Sequence, residues 1–365
     1  MALKDSMAEA LRLTRSGNLM EAATLLQASL GSGATGTSPG SKANGGVIDL
    51  VQENGSWRAK EMPGAGAFAF EPMRRAPGAA EDQTRFEEHV YRGSAGSMSY
   101  RLYRPEHAAP GMPLVVMLHG CTQSPEDFAR GTGMNRLADE HGFLVVYPRQ
   151  SQSANPQKCW NWFRPGDQQR DRGEPALLAG ITRHVIAEHG VDADRVYVAG
   201  LSAGGAAAAI MAAEYPDIFA AVGVHSGLAC GAARDLPSAL SAMQRGGGAP
   251  GTAGAGRRFV PVITFHGNRD STVNEVNSRE IVAAASAAAG VPLEIRVEEG
   301  SSGSGRRFTR SSSVDPKGTV LIEQWTIEGS GHAWSGGDAA GSYTDPSGPE
   351  ASREMVRFFL EHKRS

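Results

Sequence analysis

Residues 196–205 read VYVAGLSAGG, so Ser202 stands between Gly200 and Gly204, each two positions away. Between a strand and an alanine-rich helix, that spacing describes a turn too tight for flanking side chains. Such a turn pushes the hydroxyl out past the strand end. A hydroxyl is a weak nucleophile until a neighbouring base takes its proton, and that base is commonly a histidine oriented by a carboxylate. In the order serine, acid, histidine, the candidates are Asp270 in TFHGNRDSTVN and His332 in TIEGSGHAWSGG. Both follow apolar runs and sit among turn formers that can project a side chain into a cleft. The competing residues are less well placed. Asp217 follows Tyr215-Pro216 at a helix end, and Glu298 and Glu328 lie in strand-rich stretches. His225 and His266 each end a strand, where hydrogen-bonded structural roles are expected.

Acyl transfer through a serine also needs donors for the oxyanion of the tetrahedral intermediate. One is expected from the backbone N–H after the nucleophile, that of Ala203. The other is expected from the loop after an earlier strand, here Leu118-His119-Gly120-Cys121-Thr122, which nominates the N–H of Cys121. The segment Cys159-Trp160-Asn161-Trp162-Phe163 faces the same edge. Its aromatics can either plug the core or wall a pocket, and His119, Trp160, Trp162 and Trp334 are taken as the candidate substrate-binding side chains.

These residues need a frame that brings several strand ends together. Short apolar runs at 114–118, 143–147, 195–199, 220–224, 260–265 and 320–327 alternate with helical stretches at 133–141, 174–189, 204–215, 274–289 and 349–363. A strand pair is expected at 86–91 and 98–103. Alternation of this kind predicts an α/β fold with a mostly parallel sheet covered on both faces, its chemistry just beyond the carboxyl ends of the strands. The catalytic domain is expected over residues 81–365. Ahead of it, residues 1–30 carry helical spacing with a Gly17-Asn18 turn and read as a helical hairpin that docks on its own domain or on a partner. Residues 31–80 read as a Gly/Ser/Pro-rich linker. The stretch 246–256 (GGGAPGTAGAG) reads as a low-complexity surface insertion, and Arg306–Arg310 as an exposed strand.

Composition narrows the function classes. The 365 residues carry 36 basic and 39 acidic side chains, a balance that argues against a dedicated nucleic-acid binder. Hydrophobic residues at 40% suffice for a core. Glycine (46) and proline (20) together exceed the roughly 12% usual for globular chains. No stretch approaches a membrane span, and Lys4, Asp5, Glu9, Arg12 and Arg15 interrupt every candidate secretory run. A cytoplasmic protein is the expectation. The three cysteines match no zinc pattern.

Taken in order, LHGCTQ, QKCWNWF, GEPALLAGI, GLSAGG, HGNRD and GSGHAWSGG resemble the esterases of the polyhydroxybutyrate (PHB) depolymerase family over roughly residues 84–365. The resemblance implies an α/β-hydrolase fold of the type 1 arrangement, with no metal or organic cofactor. It implies a triad of Ser202, Asp270 and His332, with the oxyanion segment at His119-Gly120-Cys121. It also suggests a disulfide between Cys121 and Cys159, whereas a reducing cytoplasm would leave both as thiols; both states stay open. The secreted polymer degraders of that family carry a signal peptide and a polymer-adsorbing domain, and neither is expected here. Short 3-hydroxyalkanoate esters or amorphous polyester are therefore the expected substrates. The alternatives are a feruloyl or acetyl esterase acting on plant-derived esters and, in another class, a non-catalytic granule- or partner-binding protein.

Overall fold

The computed structural model describes residues 50–53, 56–59, 85–248 and 258–364. The helical hairpin expected at 1–30 lies outside them, as does most of the 246–256 insertion. Within the stretch read as a linker, β1 (Leu50–Glu53) and β2 (Ser56–Ala59) pair antiparallel.

The residues from 85 onward are built on a ten-stranded sheet. Its strands in chain order are β3 (Phe86–Gly93), β4 (Gly96–Tyr103), β5 (Leu114–Leu118), β6 (Leu144–Pro148), β7 (Val196–Leu201), β8 (Ala221–His225), β9 (Val262–Gly267), β10 (Glu294–Ser301), β11 (Arg307–Val314) and β12 (Val320–Ile327). Across the sheet they run β10-β11-β12-β9-β8-β7-β5-β6-β4-β3. The six central strands are parallel, with antiparallel pairs at both ends. Two short strands, β13 (Trp334–Ser335) and β14 (Thr344–Asp345), form a separate pair.

Alternation within the central strands fills two cores, because successive side chains point to opposite faces. Val196 and Val198 of β7 enter one; Tyr197, Ala199 and Leu201 enter the other. The first core is covered by α3 (Gly173–His189), α4 (Ala203–Glu214), α5 (Leu236–Arg245) and α6 (Val276–Ala288). The second is covered by α1 (Pro125–Thr132), α2 (Met134–His141) and α7 (Ala351–Leu360). Helix α4 is buried almost all round, which its alanines permit by letting it lie close to the sheet.

Besides the short pairs β1–β2 and β13–β14, two helices and a strand of the main sheet were not expected from the sequence. Helix α1 precedes α2, and the two are separated by Gly133 at φ 62°. Helix α5 starts with a capping box between Asp235 and Ser238 and carries Pro237 in its first turn. Strand β10 is exposed along nearly its whole length, so no burial pattern betrayed it. Arg307–Arg310 lie on the strand expected there, β11, but only Arg307 is exposed; Phe308, Thr309 and Arg310 are half-buried, with Phe308 packed against the second core. None of the described helices is long and apolar enough to cross a membrane.

Strand register aligns the carboxyl ends. Leu118 pairs with Gly200, Leu201 with His225, His225 with Phe265, and Gly267 with Ile327. The loops carrying Cys121, Ser202, Asp270 and His332 therefore emerge at one edge.

Candidate active site

Ser202 sits between β7 and α4 at φ 58°, ψ −120°, a region that a residue with a side chain rarely occupies and that costs about 1–3 kcal/mol to hold. Its amide donates to the carbonyl of His225 at 2.9 Å, and its carbonyl accepts from the amide of Ala206 at 2.9 Å. Gly200 is needed by space alone, since a β-carbon there would lie 2.3 Å from the backbone of Gly204. The serine side chain is half-buried and lines a small pocket.

Asp270 and His332 meet at 2.7 Å between Oδ2 and Nδ1. The other carboxylate oxygen, Oδ1, accepts from the amides of Thr272 and Val273, both at 2.9 Å. Burial opposes ionisation of Asp270, but the hydrogen bond and charge of His332, with help from His266 and the Val273 amide, hold its carboxyl below the usual range. An acceptor-only carboxylate requires the proton on Nδ1 of His332, which leaves Nε2 with the lone pair of a base.

His225 ties the serine turn to the histidine loop. Its carbonyl takes the Ser202 amide, and its ring Nε2 accepts from the amide of Ser335 at 3.0 Å, three residues beyond His332. Burial, reinforced by the nearby His266 and His332, drops its pKa to about 3, so the ring stays neutral. His266 Nε2 donates to the carbonyl of Val273 at 2.8 Å and braces the Asp270 turn. The rival acids are engaged elsewhere: Asp217 with Arg170, Glu298 with Arg310 and Glu328 with Arg307.

The amides of Cys121 and Ala203 make no hydrogen bond among the described residues, and both residues line the pocket beside Ser202. Ala203 opens α4, whose N-terminal end also favours negative charge. The turn after β5 is strapped down by the segment after β6. Cys121 and Cys159 are joined by a disulfide, Thr122 N donates to the carbonyl of Gln157 at 2.6 Å, and Trp160 Nε1 donates to the carbonyl of His119 at 3.0 Å.

Three of the four side chains expected to bind substrate sit elsewhere. Trp160 is fully buried with its indole N–H spent on His119. His119 is fully buried too, with Nδ1 on the carbonyl of Gly120 at 2.8 Å and Nε2 accepting from the amide of Gln150 at 3.2 Å. Trp334 stacks on His225 with ring centroids 5.0 Å apart and donates to Ser352 Oγ at 3.0 Å. A buried indole or imidazole must satisfy its polar atoms, and these do so within the protein. Trp162 does line the pocket, together with the disulfide, Leu228, Ala239, Met243 and Val273. Leu228, Ala239 and Met243 come from segments with no motif of their own, although the capping box of α5 could have flagged the helix bearing Ala239 and Met243; Val273 lies in TFHGNRDSTVN, three residues past Asp270. The pocket is apolar and narrow, with a volume of about 30 Å³.

The chain is 35% identical to the poly(3-hydroxyalkanoate) depolymerase C of Paucimonas lemoignei over 62% of its own length and 57% of that protein's. It is 33% identical to feruloyl esterase B of Thermothelomyces thermophilus over 38% of its length and 47% of that protein's. The chain thus spans about half the length of these curated relatives. Among solved structures, an acetyl xylan esterase from Aspergillus awamori superposes with a TM-score of 0.58 at 18% identity, covering 75% of this chain and 99% of that one, a likeness of fold. Residues 98–291 match the esterase PHB depolymerase family, and with just over half of its length in that match the chain, whose fold is of the α/β-hydrolase type, belongs to this family.

Proposed function

We propose that the protein is a serine carboxylic-ester hydrolase acting on short 3-hydroxyalkanoate esters. The observation that carries the reading is the convergence at one sheet edge of a strained serine turn, a 2.7 Å Asp–His pair and two unengaged amides. His332 Nε2 takes the proton of Ser202 Oγ as the oxygen adds to the ester carbonyl. The carbonyl oxygen becomes an oxyanion held by the amides of Cys121 and Ala203. Collapse breaks the bond to the alcohol, which leaves with the proton from His332. Water then repeats the sequence on the acyl-enzyme, releasing the acid and restoring Ser202. Asp270 keeps the imidazole oriented and balances its transient charge.

The narrow apolar pocket favours a small acyl group over an aromatic one. The depolymerase match favours a 3-hydroxyacyl group. A second reading, release of acetyl groups from a carbohydrate, is favoured by matches to acetylxylan esterases. Hydrolysis rates for p-nitrophenyl esters of increasing acyl length, 3-hydroxybutyrate oligomers, acetylated xylan and methyl ferulate decide between them. Fluorophosphonate labelling tests the chemistry itself. Label on Ser202 is expected, and an unlabelled protein would return the chain to the class of binding proteins.

A further inference from the structure

Glu174, in the first turn of α3, is almost fully buried and takes no part in the relay proposed above. A buried acid without a counter-charge needs donors, and three N–H groups reach it. Gln150 Nε2 and Asn161 Nδ2 each donate to Oε1 at 2.5 Å, and the Asn161 amide donates to Oε2 at 2.8 Å. Bonds to an ionised acceptor are roughly twice as strong as neutral ones. Asp167, whose Oδ1 accepts from the Glu174 amide at 2.9 Å, is the acidic neighbour. Burial and the charge of Asp167 raise the Glu174 carboxyl to about 7.

The bonds continue toward the Ser202 pocket. Gln150 Nε2 also donates to the carbonyl of Cys159 at 3.1 Å, on the strap that crosses the turn after β5. The backbone amide of Gln150 donates to Nε2 of His119 at 3.2 Å. That bond fixes the tautomer, because an Nε2 that accepts leaves the proton on Nδ1. Nδ1–H then donates to the carbonyl of Gly120 at 2.8 Å. The Gly120 carbonyl and the Cys121 N–H belong to one planar trans peptide and point in opposite directions. Holding the carbonyl against the His119 ring therefore aims the Cys121 N–H the other way. Burial keeps His119 neutral, with its pKa at about 4, as the tautomer requires.

We propose that Glu174 is a positioning residue for the oxyanion hole, acting through Gln150 and His119 to aim the Cys121 amide. The proposal rests on the reading of Ser202 as an ester nucleophile. Glu174→Gln keeps size and shape but sets an amide N–H₂ among donors, so at least one of the three bonds is lost.

The test measures kcat and KM for a short p-nitrophenyl ester, with the affinity for a trifluoromethyl ketone that mimics the tetrahedral intermediate. In Glu174→Gln, kcat should fall by about 10²-fold, the loss expected of a reacting contact displaced by about 1 Å. KM should stay within about twofold, and affinity for the ketone should fall in step with kcat/KM, as for loss of a contact made only in the transition state. Gln150→Leu, which removes the side-chain link but keeps the backbone amide, should move the same quantities the same way. It decides the matter if Glu174→Gln does not fold. Unchanged kcat and ketone affinity in a folded variant overturns the role of Glu174 alone. A wild-type protein that hydrolyses no ester overturns the functional reading and this inference with it.

Discussion

Gly204 lies so close to Leu118 that a β-carbon on it would sit 2.0 Å from the Leu118 carbonyl oxygen. The serine turn and the oxyanion turn are thus packed backbone to backbone, and no side chain can separate them. Gly204→Ala should force them apart. Overpacking of this kind costs about 1–3 kcal/mol, so the melting temperature should drop and turnover should fall further than stability alone explains. Thermal denaturation and kinetics on the same preparation check this.

Two buried neutral histidines make stability depend on pH. The pKa of His119 falls to about 4 and that of His225 to about 3, in both cases chiefly through burial. The unfolded chain takes up protons at these sites below its ordinary value of 6.5, while the folded chain does not. Their contribution is therefore complete above about pH 6.5 and is lost as pH falls toward 4. The slope approaches about 1.4 kcal/mol per pH unit for each histidine. Urea denaturation between pH 7 and 4 should show the decline, and His225→Asn should flatten it.

Asp270 has the opposite partner preference. Its folded pKa lies below the ordinary 3.8, so its stabilisation is present above that value and fades as the pH falls below it. At neutral pH Asp270→Asn removes the acceptor that sets the His332 tautomer. Turnover should fall by about 10⁴-fold, by analogy with the serine-protease template, while labelled or unlabelled protein remains folded by circular dichroism.

The bridge between Cys121 and Cys159 closes a loop of 38 residues, for which the chain-entropy relation gives about 4 kcal/mol. Non-reducing mass spectrometry should find these two cysteines joined and Cys230 as a thiol. Reduction should lower both the melting temperature and kcat, because the bridge holds Cys121, which lines the pocket beside Ser202. Retained activity in a fully reduced sample would mean that the hydrogen bonds of the strap suffice.

Met243 forms part of the wall beside Ser202. Met243→Ala should enlarge the pocket and shift the preferred acyl chain by one or two carbons, since each newly buried methylene is worth about 0.8 kcal/mol. A p-nitrophenyl ester series reads the shift directly. An unchanged profile would place the acyl group elsewhere.

The residues of the proposed relay were legible because each is announced locally. Ser202 sits in a motif whose glycines have a steric reason, and Asp270, His332 and Cys121 follow apolar strands. The aromatics misled because a tryptophan near a motif looks the same in sequence whether its ring faces a pocket or the core. What separates Trp162 from Trp160 and Trp334 is where the indole N–H of the latter two finds a partner, His119 in one case and Ser352 in the other. Those partners lie far away along the chain. Leu228, Met243 and Val273 were invisible for a related reason, since an apolar wall residue has no chemistry to declare. Glu174 fell inside a recognisable run, GEPALLAGI, but its donors Gln150 and Asn161 become neighbours only once the segment after β6 has folded back over the sheet.

The end of α5 is moored to the loop that follows Asp270. Asn274 N and Asn277 Nδ2 donate to the carbonyls of Met243 and Ala242, and Gln244 reaches the carbonyls of Ser271 and Thr272. The helix that supplies the pocket wall cannot slide or tilt without dragging the acid away from its histidine. A lineage, or an engineer, seeking a roomier acyl site on this scaffold is therefore confined to trimming side chains. Moving the helix would trade chain-length range against proton transfer.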